Sequence, residues 1–73
     1  MKTRNQTIQE TLEFYRENGK PVHITLQSGR WLNGIIIKTL ADRLLIKEEA
    51  NGEMLVFYER IKDDGIEPRG NKK

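Results

Sequence analysis

The chain has no cysteine, one histidine and two prolines among its 73 residues. Without cysteine there is no disulfide to staple the fold and no Cys-based zinc site, and one histidine, His23, cannot build a metal site alone. No apolar run approaches the ~18 residues a membrane span needs, and Met1 to Gln6 are polar rather than leader-like. The expected setting is the cytoplasm, since a chain free of cysteine fits a reducing compartment. What is present is lean: 36% hydrophobic and 33% charged. A single core of this size supplies roughly 3–5 kcal/mol, so association with further copies is the remaining way to add buried area.

A formal net charge of +2 conceals segregation. From Met1 to Lys47 eight bases face four acids, from Glu48 to Pro68 seven acids face only Arg60 and Lys62, and Arg69, Lys72 and Lys73 end the chain. This is no polybasic nucleic-acid binder throughout. A polyanion would have to be met at local basic positions.

Ile8, Leu12 and Tyr15 fall on one stripe of a 3.6-residue period, and Thr7 with Glu10 has the spacing of a capping box. Gly19 and Pro21 end the pattern, so the spacing predicts a helix over 6–18 after a flexible 1–5. The period then becomes two. Val22, Ile24 and Leu26 make a first strand, Ser28-Gly29-Arg30 a turn, and Trp31 to Thr39 a second strand. Gly34 inside that strand marks a bend, a bulge or a close backbone approach. Three successive isoleucines, Ile35 to Ile37, predict cover on both faces. Leu40-Ala41-Asp42 interrupts, Arg43 to Glu49 forms a third strand, and Asn51-Gly52 is a strong hairpin signal. Glu53 to Glu59 is a fourth strand, Asp63-Asp64-Gly65 a turn, and Ile66-Glu67-Pro68 a short fifth strand. Residues 69–73 read as a basic flexible tail. One helix and five short antiparallel strands predict a mainly β domain over 6–68, its barrel over 22–68, with a strongly bent sheet that closes or pairs with a neighbouring chain to remove its edges.

Catalysis is not expected. A nucleophile needs an adjacent base and an orienting group, and His23 alternates with core positions as a half-exposed strand residue. Glu48 and Glu49 point to opposite faces and cannot share a proton. Asp63-Asp64 reads as turn chemistry, and Gly29 and Gly34 sit in a hairpin rather than before a helix, so there is no phosphate loop. No cofactor, metal or small-molecule substrate is expected.

The stretch Val22-His23-Ile24-Thr25-Leu26-Gln27-Ser28-Gly29-Arg30-Trp31-Leu32-Asn33-Gly34 resembles the first half of the Sm1 motif. The later run Leu44-Leu45-Ile46 looks like the close of Sm1. Phe57-Tyr58-Glu59-Arg60-Ile61, followed by Ile66 and Pro68, looks like a loosened Sm2. With the upstream helix, the resemblance to the Sm-like (LSm) superfamily covers roughly 6–68 and is nearest to the Hfq-type RNA chaperones. It implies an SH3-like (Sm-like) barrel in a homo-oligomeric ring, hexamer or heptamer, in which the fourth strand of one copy pairs with the fifth of the next. It also implies capture of single-stranded RNA.

By the same resemblance, a distal-type face would use Ser28, Gly29, Arg30 and Asn33. Asn33 would bond a base edge and Arg30 a phosphate or base plane. A pore or rim would use Arg43, Arg60, Lys62 and Arg16, with phosphate contacts from Arg69, Lys72 and Lys73. Trp31 is read as packing or interface rather than stacking, and Phe57 and Tyr58 as core or interface. The chain departs from the family where Leu40 and Ala41 replace the acid and base contact of the Sm1 loop, Asp42 fitting only after a local slip. It departs again at Glu59, which replaces the lysine of the Hfq-type Tyr-Lys-His. The rival expectation is an SH3-like barrel that binds protein or serves assembly without RNA.

Overall fold

The computed structural model describes residues 1–70. Helix α1 spans Arg4–Glu17, starting two residues before the expected 6–18. The capping box is made by Thr3 and Gln6 rather than Thr7 and Glu10. Gln6 N donates to Thr3 Oγ1 at 3.1 Å and Thr3 N donates to Gln6 Oε1 at 2.8 Å, which meets orphan donors from both sides. The segment expected to be flexible, 1–5, is thus capped at Thr3 and helical from Arg4. The helix ends as expected at Gly19, whose φ is +62°. Gly19 N donates to Arg16 O and Lys20 N to Tyr15 O, the bond pair of a Schellman ending.

Five strands follow: β1 (Val22–Leu26), β2 (Trp31–Thr39), β3 (Arg43–Glu48), β4 (Gly52–Phe57) and β5 (Ile61–Pro68), with a single 3-10 turn, Tyr58–Arg60, between the last two. They form one antiparallel sheet in the order β4-β3-β2-β1-β5. The fold class is the expected one, a helix and then a bent five-stranded sheet. The sheet does not close on itself, so β4 and β5 are its edges.

The last two strands depart furthest from expectation. Tyr58 and Glu59, expected in the fourth strand, join Arg60 in the 3-10 turn. Asp63-Asp64-Gly65 lies inside β5: Ile24 pairs with Ile66 and Leu26 with Ile61, so residues 62–65 bulge from the ladder instead of turning the chain. Asp64 takes φ +60° there, and a Cβ on Gly65 would stand 2.7 Å from the carbonyl oxygens of both Lys62 and Thr25.

The core is small and lies on one side of the sheet. Leu12, Val22, Ile24, Leu44, Ile46 and Tyr58 have no exposure, and Ile8, Leu32, Ile36, Val56 and Ile61 complete the cluster. The helix seals one end of it. Arg4 donates to Tyr58 O at 3.0 Å and to Ile61 O, while Gln9 donates to Thr39 Oγ1 at 3.2 Å and the Thr39 hydroxyl donates to Glu13. Among the described residues no element covers the opposite face. Ile36 is buried, but Ile35 and Ile37 are 39% and 40% exposed, against the expectation of cover on both sides. The helix packs over the end of β2 rather than over its outer face.

Gly34 is where β2 and β3 come closest. It pairs with Glu48, and a Cβ on it would lie 2.1 Å from Lys47 O and 2.9 Å from Glu48 Cα. Of the three readings of that glycine, the structure selects close backbone approach. Two residues on, the register slips between Ile36 and Lys38, a bulge at Ile37 that sharpens the local twist. Gly34→Ala is expected to cost about 1–3 kcal/mol, the usual range for overpacking, measured by urea unfolding; an unchanged midpoint would contradict the close approach.

Candidate nucleic-acid interface

Ser28, Gly29 and Arg30 share one exposed turn. Gly29 N donates to Leu26 O at 2.9 Å, Leu26 N donates to Arg30 O at 2.8 Å, and Gly29 takes φ +92°, which favours glycine. Asn33 does not join this turn. It sits on β2 opposite His23, and the pair Thr25–Trp31 lies between it and the turn. Residues directly opposite share a face. His23, Thr25, Trp31 and Asn33 therefore stand together on the outer face, away from the core.

Asn33 is tied on both sides. Its Oδ1 lies 2.6 Å from His23 Nδ1, and its backbone N donates to Glu48 Oε2 at 3.3 Å. Trp31, expected to pack or to serve an interface, does not pack within the chain: it is 61% exposed, with its ring centroid 6.4 Å from that of His23. The same face carries Leu55 and Phe57 on β4, exposed and paired in register with Leu45 and Arg43.

At the other end of the bent sheet the β2–β3 loop is knit to the 3-10 turn. Tyr58 N donates to Asp42 O at 2.9 Å and the Tyr58 hydroxyl to Leu40 O. Tyr58 is core, one of its two expected places, and Phe57 is partly exposed on the outer face. Asp42 is held by Arg43 at 2.9 Å, whose hydrogen bond keeps the carboxyl below its ordinary range.

The cations expected at the rim do not form one group. Arg43 is spent on Asp42 and on the Phe57 ring, 4.6 Å away. Arg16 is paired with Glu13 at 2.7 Å, and that guanidinium, with the Thr39 hydroxyl, lowers the Glu13 pKa. Arg60 is instead next to the first turn: it lines a depression of about 360 Å³ with Leu26, Gln27, Ser28 and Glu59, and Gln27 N donates to its carbonyl at 2.7 Å. Lys62 lines a separate groove of about 400 Å³ between α1 and the β5 bulge. Among the described residues, Arg30, Arg60 and Lys62 make no ion pair. Arg69 is bound to Glu49 at 2.8 Å, and Lys72 and Lys73 lie outside the described residues. Among the described residues no group of three carboxylate or imidazole side chains could hold a metal ion, and no helix is long and apolar enough to cross a membrane.

Sequence reasoning missed two anchoring residues. Arg4 ties the helix to Tyr58, Ile61 and Asp63, a link across more than fifty positions that no local pattern records. Glu48 is only 8% exposed. Its Oε1 accepts from Ala50 N at 2.9 Å, Asn51 N at 2.8 Å and Asn51 Nδ2 at 2.9 Å, so it braces the β3–β4 turn and the back of Asn33 together. Its signal was a carboxylate just ahead of Asn-Gly. No protein-family model matches this chain, and no curated protein is a significant match to it.

Burial pushes the Glu48 carboxyl up, but the N–H groups of Ala50, Asn33 and Asn51 and the Asn51 amide together outweigh it and hold its pKa below the ordinary range. A lowered folded-state pKa adds stability that is complete above the ordinary glutamate value and fades as pH falls through the lowered one. Glu48→Gln should therefore lower the thermal midpoint at pH 7, and the gap from the unmodified chain should narrow below pH about 4. A gap that stays constant from neutral to acid pH would contradict this role.

Proposed function

We propose that this chain is an Sm-like, Hfq-related protein that works by binding: copies join into a homo-oligomeric ring, hexamer or heptamer, and capture single-stranded RNA. The observation that carries the reading is the pair of free sheet edges. β4 and β5 stand at opposite ends of the strand order, and each presents unpaired backbone donors and acceptors that must find partners or be blocked. Met54 on β4 and Ile66 on β5 are half-buried against the core, and pairing β4 of one copy with β5 of the next covers both. The resemblance of residues 22–34 and 57–68 to the Sm motifs supports the same arrangement.

A ring multiplies each weak site by the number of copies, so a few cations per chain give strong, salt-dependent binding. Of the cations named for the site, Arg30, Arg60 and Lys62 make no ion pair among the described residues and are free for phosphate, with Ser28 and Gly29 beside Arg30 in the turn and Asn33 further along β2. Arg16 and Arg43 are neutralised by Glu13 and Asp42. No catalytic role is assigned: the Nδ1 of His23 is engaged by Asn33, and no hydroxyl nucleophile is bonded to that ring. The cytoplasm is the compartment this reading places it in.

A second reading rests on the exposed Ile35, Leu55 and Phe57 of the outer face. It makes the chain an SH3-like barrel that binds a protein partner or serves assembly, without RNA. Filter binding of A-rich and U-rich oligomers at two salt concentrations separates the two. Binding that weakens with salt is expected, and Arg30→Ala and Arg60→Ala should each reduce the salt slope by about 0.7 for every copy engaged, whereas Arg16→Ala should leave it nearly unchanged. No binding at low salt would reject the RNA reading and leave the second.

A further inference from the structure

We propose that Asn51 is a deamidation site restrained by Glu48, and that its conversion releases the brace which Glu48 gives to the β3–β4 turn. The proposal stands whether or not the chain binds RNA or forms a ring.

Three of the chain's asparagines precede glycine: Asn18-Gly19, Asn33-Gly34 and Asn51-Gly52. A glycine in second place has no Cβ to obstruct its own backbone N, and that atom is the nucleophile that attacks the side-chain amide. The three pairs differ in what holds them. Gly34 lies inside β2, between two neighbouring strands and pressed on Lys47 O, so its backbone is released only when the sheet opens. Asn18 Nδ2 donates to Phe14 O at 2.7 Å and Gly19 N to Arg16 O at 3.1 Å, neutral acceptors at a helix end. Asn51 is exposed in a turn. A Cβ built on Gly52 would meet nothing within 4 Å, so there is room for a ring to close.

In that step Gly52 N bonds to Asn51 Cγ, the Cγ–Nδ2 bond breaks, and the Gly52 proton passes through water to Nδ2, which leaves as ammonia. Water then opens the five-membered imide at either carbonyl. Breaking the bond from Gly52 N to Cγ leaves an aspartate. Breaking the bond from Gly52 N to the Asn51 backbone carbonyl carbon leaves an iso-aspartate, with the chain running through the side chain. Either way a neutral donor becomes a carboxylate, one water is consumed, and nothing is oxidised or reduced.

Glu48 opposes this reaction in two ways. Its Oε1 accepts from Asn51 N at 2.8 Å and from Asn51 Nδ2 at 2.9 Å, which fixes the side chain and its own backbone to one oxygen. Attack also builds negative charge on Gly52 N and on Asn51 Oδ1, and a carboxylate beside them disfavours it. Gly52 is the cross-strand partner of Glu48, so both atoms lie within reach of its charge. Burial raises the Glu48 pKa, but the surrounding N–H groups outweigh it and make the carboxylate a poor base for the Gly52 proton. After conversion, two carboxylates face one another where a hydrogen bond stood. The turn must open to part them. Because β4 begins at Gly52, the disturbance falls at the root of an open sheet edge.

The intact chain and Glu48→Gln are incubated at neutral pH and the three pairs followed by peptide mapping, with a urea-unfolded sample as the clock. Asn51 should convert in both, about 5-fold faster in Glu48→Gln, the factor for replacing a bond to a carboxylate by one about half as strong. Asn18 should keep its rate, and Asn33 should stay unconverted, which shows that the variant remains folded. Asn51→Asp, which installs the product's carboxylate directly, should lower the thermal midpoint by about 4–8 °C at neutral pH. Equal Asn51 rates in the two folded chains, or an Asn51 still intact in Glu48→Gln once the unfolded sample has converted, would overturn the restraint. An unchanged midpoint for Asn51→Asp would overturn the release of the turn.

Discussion

At Gly34 the backbones of β2 and β3 press together so closely that a methyl group would meet the Lys47 carbonyl. That contact organises what surrounds it. Glu48, the partner of Gly34, is drawn into a nearly buried position, and its carboxylate gathers the N–H groups of the β3–β4 turn and of Asn33. The bulge at Ile37 follows within three residues. Strands so closely packed and bulged bend around a core of eleven apolar side chains. A flat sheet of these lengths could not enclose so few.

The same constraint leaves the molecule unfinished in two places. Its edges, β4 and β5, remain open because five short strands bend around the core without meeting. Its outer face remains bare because the one helix is used at the end of the bent sheet, fixed there by Arg4, Gln9 and Glu13. Open edges call for a neighbouring backbone, and the proposed ring supplies it at β4 and β5.

Most of the architecture was legible in the sequence because short-range rules govern it. The alternation of Val22, Ile24 and Leu26, the glycines at 29 and 52 and the Schellman ending at Gly19 are decided by neighbours a few residues apart. The misplacements came where distant backbone intervened. Asp63-Asp64-Gly65 has the composition of a turn, yet β1 holds both sides of it and forces a bulge. Ile35 and Ile37 read as doubly covered, but a sequence pattern does not say where a helix docks. The helix start moved because the chain offers two capping boxes, and the Thr3-Gln6 box brings in two more residues, the first of them Arg4, which reaches Tyr58 and Ile61. The site was the least legible part. Charges at Arg16 and Arg43 could be counted from the sequence, but not that Glu13 and Asp42 neutralise them. Nor did it indicate that Arg60 comes to lie beside Ser28.

The central claim is that this open sheet is completed by its own copies. Light scattering coupled to size exclusion measures it directly, at micromolar concentration and again after dilution. The account predicts a closed species of six or seven times the 8.6 kDa of one chain, persisting on dilution. A folded, stable particle with the mass of a single chain would contradict it.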